Sequence, residues 1–224
     1  MKLIALLPMK GTSERVPNKN MRLFDGTPLY HAVMKSLLGS KYIDKVVINT
    51  DSKIIADDAK KNFGNKVLII DRPKSIQGGD VSMNLIIDYD LTQLDEKYFL
   101  QTHSTNPLLT VETINKAIEK YFDKINENDS LFGVTKVQTR FYDKDANPIN
   151  HNPDELLRTQ DLEPLYEENS NIYIFSKDSF IKSNKKRIGL KPLIFEINKL
   201  EAIDIDEAED FKLAELLYRN RDNL

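Results

Sequence analysis

Short apolar runs alternate with capped, amphipathic segments from Leu3 to Val137, and this rhythm most constrains what the chain can fold into. Leu3 to Leu7 is a continuous apolar run, as expected of a strand buried on both faces of a parallel sheet. Thr27-Pro28 reads as an N-cap followed by proline at the first helical position. Leu29, Ala32, Val33, Ser36 and Leu37 then recur on one helical face. Lys45 to Thr50 reads as a second strand, and Ser52 caps a helix that runs through Phe63 and stops at Gly64. Lys66 to Ile70 is a third strand, residues 82–94 a helix, and Tyr98 to Gln101 a short buried strand. Val111, Ile114, Ala117, Ile118, Tyr121, Phe122 and Ile125 fall three and four apart, which predicts an amphipathic helix. Leu131 to Val137 returns to strand. Strand and helix in turn are the signature of βαβ units around a parallel sheet, an α/β fold.

The rhythm breaks at 138–170, a polar stretch with Pro148, Pro153 and Pro164 and no clear period. A structureless loop of that length is uncommon inside a compact domain, so it reads as an excursion with short strands of its own, a subunit contact or a lid. Asn171 to Phe175, Leu193 to Ile197 and Ala202 to Ile205 read as further strands, and Glu207 to Arg219 as the closing helix. At 224 residues the chain suits one domain spanning 1–224, with 138–170 as its excursion.

Parallel sheets bind ligands beyond the carboxyl ends of their strands, so the residues after each strand should converge. The first strand empties into residues 8–20, which carry Lys10, Gly11, Thr12, Ser13, Arg15 and Lys19. Backbone N–H groups, hydroxyls and three cations on one loop suit a ligand with several phosphates; the alternative is an ordinary basic loop. The second strand ends at Asp51, the third leads to Arg72, and the fourth ends in Gln101 to Asn106. Neither G-x-x-x-x-G-K-[ST] nor G-x-G-x-x-G occurs in the opening loop. His31, His103 and His151 share no metal-ligand spacing; His31 reads as a surface or partly buried helical residue, and only His103, at a strand end, is a candidate for the site.

In Ile203-Asp204-Ile205-Asp206, strand alternation would set both carboxylates on one face. Adjacent carboxylates repel unless a cation lies between them, and Mg²⁺ held by one or two carboxylates plus substrate phosphates meets that need. The alternative is a capping box, Asp206 with Glu209, for the last helix. A net charge of −3 supplies no global basic field for nucleic acid, so any phosphate recognition must be local. The chain has no cysteine, which excludes thiolate chemistry, and its first apolar run is too short for a membrane span or signal core. The cytoplasm is the expected compartment.

Together these segments resemble the acylneuraminate cytidylyltransferases, the CMP-sialic acid synthetases. Pro8-Met9-Lys10-Gly11-Thr12-Ser13-Glu14-Arg15-Val16-Pro17-Asn18-Lys19-Asn20 is similar to the family's opening loop, P-A-R-x-G-S-K-R-I-P-x-K-N. Asn49-Thr50-Asp51 with Ile55-Ala56-Asp57-Asp58-Ala59 resembles S-T-D followed by I-A-x-x-A, and Arg72-Pro73 the R-P pair. Gln101 to Leu108 is similar to Q-x-T-S-P-L, and Arg158-Thr159-Gln160-Asp161-Leu162 with Tyr166, Asn169 and Tyr173 to R-x-Q-D-L and Y-x-x-N-x-x-I-Y. Asp204 through Asp210 resembles D-I-D-x-x-x-D. Two positions depart: Lys10 stands where the family has arginine, and Glu14 where it has a second cation.

The resemblance implies a Rossmann-like three-layer α/β/α nucleotidyltransferase fold with a mostly parallel sheet, and a homodimer formed through the excursion. It implies Mg²⁺-dependent transfer of CMP from CTP to a nonulosonic acid, without nucleic acid or membrane partners. Lys10, Arg15 and Lys19 would hold the triphosphate, with Gly11 and Ser13 supplying backbone approach and donors. Asn20 and Arg72 would recognise cytidine, Gln101 would orient the acceptor hydroxyl, and Asp204 and Asp206 would hold the metal. Rival readings are a 3-deoxy-manno-octulosonate or sugar 1-phosphate acceptor, or a silent nucleotide-sugar binding module.

Overall fold

A computed structural model describes residues 2–221. A seven-stranded sheet is built from β1 (Leu3–Leu6), β4 (Ile43–Thr50), β5 (Val67–Asp71), β6 (Tyr98–Gln101), β7 (Ser130–Val137), β8 (Leu165–Ser176) and β9 (Pro192–Glu196). Their order across the sheet is β5-β4-β1-β6-β8-β7-β9. β8 alone runs antiparallel to its neighbours, β6 and β7; the other pairings are parallel. β2 (Leu23–Phe24) and β3 (Thr27–Pro28) form a small separate hairpin.

The side-chain alternation of β1 shows why the sheet carries helices on both faces. Leu3 and Ala5 point into a core completed by α1 (Tyr30–Gly39), α2 (Lys53–Phe63) and α4 (Val111–Asp123). Ile4 and Leu6 point into a second core with α3 (Met83–Thr92) and α5 (Lys177–Lys182). This is the expected three-layer arrangement. Among the described residues no helix is long and apolar enough to cross a membrane.

Capping chemistry places several helices where the sequence put them. The side-chain oxygens of Ser52, Ser82 and Thr110 accept backbone N–H bonds at the starts of α2, α3 and α4. Gly64, at φ 55°, ends α2 in a conformation that L side chains rarely adopt.

Four expectations need correction. Thr27-Pro28 does not cap α1; it pairs with Leu23–Phe24 as a strand, and α1 begins at Tyr30 after Leu29. Proline is tolerated there because β3 is a two-residue edge pairing, where its missing N–H costs nothing. Ala202–Ile205 is not a strand but a loop entering α6 (Ala208–Arg219). The cap of α6 is Glu207 with Asp210, not Asp206 with Glu209. The excursion ends earlier than 170, since β8 already pairs with β7 from Leu165. What lies outside the sheet holds a bridge between Tyr142 and Pro148 and a 3₁₀ turn at Thr159–Asp161. α5 was not foreseen; at six residues it is too short to display a helical period.

A third apolar cluster ties the chain's two ends together. Val16, Phe24, Leu29 and Ala32 pack with Ile205, Phe211 and Ala214, and Phe24 meets Phe211 edge-on at 5.5 Å. This contact seats the loop before α6 directly over the opening loop.

Candidate active site

A cleft of about 490 Å³ opens beyond the carboxyl ends of β1, β5 and β6. The opening loop forms one wall with Lys10, Ser13, Arg15, Lys19 and Asn20; Arg72, residues 78–81, Met83 and Ile86 add another. His103, Ser104 and Thr105 close the remaining side. Of the candidate residues read from sequence, Gly11, Gln101, Asp204 and Asp206 stand outside this lining.

Each loop element has a local physical reason. Gly11 donates its N–H to Asp51 Oδ1 at 2.6 Å, which anchors the loop to the end of β4. A Cβ on Gly11 would come within 2.8 Å of Ser52 Cβ, so only glycine lets the loop sit this low. Asn20 Nδ2 donates to the Lys10 carbonyl at 3.0 Å, and Ser104 Oγ donates to Asn20 Oδ1 at 2.7 Å. Asn20 therefore clamps the loop on itself and onto the segment after β6.

The loop cations meet the carboxylates ahead of α6. Arg15 donates to Asp206 Oδ1 at 2.6 Å and to Glu207 Oε1 at 3.3 Å, across 191 and 192 residues of chain. Lys19 Nζ donates to the Ile205 carbonyl at 2.5 Å. Burial lowers the Lys19 pKa, while the charges of Asp206 and Asp204 pull it back up. Asp204 is an exposed residue whose carboxyl is nonetheless pushed up, chiefly by desolvation; Thr105 and Lys19 oppose that shift and Asp206 reinforces it. The charge of Asp206 is thus one of the influences that disfavour charge on Asp204.

Arg72 is buried, and its Nε and one terminal nitrogen are held by hydrogen bonds. Nε donates to Asn49 Oδ1 at 2.7 Å, and one terminal nitrogen reaches the carbonyls of Asn49 at 2.9 Å and Met9 at 3.3 Å. Asn49 Nδ2 donates onward to Asp90 Oδ1 at 2.6 Å. Burial pushes the Asp90 carboxyl up to about 7, against the pull of Asn49 and Arg72, and its second oxygen has no partner.

Gln101 is fully buried; its amide donates to the Thr102 carbonyl at 2.7 Å and accepts from Arg187 at 2.6 Å. Sequence reasoning missed Asn49 as an arginine anchor, Asp90, and Arg187. Asp90 had a legible signal, since an acid falls among Ile86, Ile87 and Leu91 on the apolar face of α3. Arg187 lies in an irregular loop and had none. Among the histidines, His103 reaches the cleft. His31 is buried against Asp58 at 2.6 Å, more deeply than expected, and His151 meets Tyr142 in the excursion.

A mostly parallel sheet whose strand ends present a cationic, hydroxyl-bearing loop against paired carboxylates defines a nucleotidyltransferase. The chain belongs to the cytidylyltransferase family, whose model matches residues 4–223. A CMP-N,N'-diacetyllegionaminic acid synthase of Legionella pneumophila is 31% identical, over 97% of this chain and 96% of that one. A pseudaminic acid cytidylyltransferase of Campylobacter jejuni is 26% identical, over 98% and 97%. Among solved structures, a CMP:2-keto-3-deoxy-manno-octonic acid synthetase complexed with CTP shares the fold with a TM-score of 0.72, covering 99% of this chain and 100% of that one at 12% identity.

Two outcomes follow from this geometry. Gly11→Ala should displace the opening loop and weaken CTP binding by roughly tenfold in calorimetry, because the added Cβ meets a carbon that cannot rotate away. Asp90 binds a proton in the folded state that it loses when unfolded, so its contribution to stability falls as pH rises from about 4 to about 7. Urea titrations of Asp90→Asn and the parent should agree near pH 4, where Asp90 is protonated when folded and still partly protonated when unfolded. By about pH 8 the variant should be the more stable by on the order of 4 kcal/mol.

Proposed function

We propose that this enzyme transfers CMP from CTP to the anomeric hydroxyl of a sialic-acid-like nonulosonic acid, releasing pyrophosphate, and so supplies an activated sugar for surface glycans. The observation that carries this reading is a cleft lined by Lys10, Arg15 and Lys19, with Arg15 bonded to Asp206 and Lys19 under the charges of Asp206 and Asp204 beside it. The end-to-end similarity to relatives named for pseudaminic and legionaminic acids supports the acceptor class. The compartment is the cytoplasm, where CTP is available.

The acceptor hydroxyl oxygen forms a bond to the α-phosphorus in line with the departing pyrophosphate, which leaves with the electron pair of the broken bond, while the hydroxyl proton passes to water. Such transfers depend on positioning and charge neutralisation rather than on covalent enzyme chemistry. Lys10, Arg15 and Lys19 hold the triphosphate and stabilise the leaving group, with Gly11 and Ser13 letting the backbone approach. Asn20 and Arg72 shape the cytidine side, and Gln101 orients the acceptor.

The donor set near the acids fits a hard cation such as Mg²⁺. Among the described residues no group of three or more His, Cys, Asp or Glu gathers, so Asp204 and Asp206 would be completed by substrate oxygens. Bound there, the ion would offset charge at the reacting phosphate. Asp206 would exchange Arg15 for the ion, freeing that guanidinium for the triphosphate.

Residues 1–224 act as one catalytic domain, and the excursion as the homodimer contact. Its Ile149, Leu156 and Leu157 are exposed, Leu156 by 86%, which is costly for an isolated chain.

Pyrophosphate release with CTP, Mg²⁺ and a panel of sugar acids, including 3-deoxy-manno-octulosonate, tests the reading. Turnover is expected with nonulosonic acids; CTP binding without turnover on any acid would favour a silent module. Asp204→Asn should lose about 100-fold in kcat with an unchanged melting temperature. Light scattering should give twice the chain mass, shifting toward one chain for Leu156→Glu.

A further inference from the structure

A second cationic centre lies beyond the triphosphate wall, at the carboxyl end of β6. Arg187, on the loop between α5 and β9, stacks its guanidinium 3.6 Å from the centroid of the Tyr173 ring. One terminal nitrogen donates to Gln101 Oε1 at 2.6 Å and lies 3.4 Å from His103 Nε2. Because the guanidinium has no acceptor, His103 Nε2 must accept, which leaves its proton on Nδ1. His103 is neutral at physiological pH, its pKa brought down to about 4 by burial and by Arg187.

The charge of Arg187 is therefore poorly matched. Its side chain is 17% exposed, and burial lowers its pKa. Among the described residues the one carboxylate within ion-pair range is Glu168, at 3.9 Å, and that carboxylate already accepts the Tyr173 hydroxyl. Its other polar neighbours, Gln101 and His103, are neutral. A buried cation in such surroundings is stabilised by an incoming anion. Two of the three loop cations are otherwise engaged: Arg15 pairs with Asp206 and Glu207, and Lys19 with the Ile205 carbonyl.

We propose that Arg187 receives the carboxylate of the sugar acid, making it the residue that selects acid acceptors over neutral ones. This rests on the reading that the enzyme transfers CMP to such an acid. Gln101 and His103 then connect Arg187 to the cleft, since both touch Arg187 and His103 also lines the triphosphate side.

The test compares an accepted nonulosonic acid with its methyl ester, which keeps the hydroxyls but removes the charge. The parent enzyme should prefer the acid by roughly tenfold or more in kcat/KM, as expected of a charge-assisted pair. Arg187→Met should bring that ratio close to one by raising the KM of the acid, with the KM of CTP unchanged. Arg187→Lys should keep part of the preference, and serves if the methionine variant is unstable. A positioning role through Gln101 alone would lower kcat for acid and ester equally; an unchanged ratio overturns the proposal while leaving the functional reading intact. Failure of the parent to use any acid would overturn both.

Discussion

Arg72 is the interaction on which the rest of this active site hangs. It leaves the end of β5, takes the side-chain and main-chain oxygens of Asn49 at the end of β4, and reaches the Met9 carbonyl just past β1. One guanidinium thus registers three parallel strands at the edge where ligands bind. Asn49 relays it to Asp90 on α3, which joins the helical layer to the same network. A charge removed from water is costly unless its hydrogen bonds are met, and here most of them are met by neutral oxygens. Asp90 keeps one oxygen without a partner, and burial pushes its carboxyl toward neutrality. Rigidity at the strand ends lets a glycine-bearing loop hold a fixed shape above them.

The second organising fact is charge pairing across the chain. Arg15 and Lys19 belong to the opening loop, whereas Asp206 and the Ile205 carbonyl precede the last helix. The cluster of Val16, Phe24, Phe211 and their neighbours brings these distant segments together with apolar contacts, leaving the polar groups to face the cleft.

Much of the fold was readable because its signals are local. β6 at Tyr98–Gln101 and the caps at Ser52 and Gly64 follow from burial pattern and from side chains that serve their own backbone. The errors arose where tertiary contacts overrode local preference. Thr27-Pro28 has the chemistry of a helix start, yet Phe24 is drawn into the cluster with Phe211 and pulls the segment into a hairpin. Ile203 and Ile205 alternate like a strand, but their segment finds no neighbour to pair with; Ile205 N–H instead donates to the Thr105 carbonyl. The cap of α6 shifted by one residue because Asp210 accepts from both Asp206 and Glu207 N–H groups.

The site divides in the same way. The opening loop and Arg72 are legible because they follow strand ends, where parallel sheets receive ligands, and the two acids because of their alternating spacing. What each side chain does in the folded chain is a different matter. Gly11 spends its N–H on Asp51, Gln101 has both ends of its amide engaged, and Arg187 is visible only once β6, β8 and the loop before β9 are brought side by side. Sequence alone determined the layered α/β architecture and the cationic opening loop, since periodicity and composition are properties of neighbours along the chain. Tertiary structure alone decided which cation meets which anion, because those distances span up to 192 residues and are set by the packing of apolar surfaces that carry no charge.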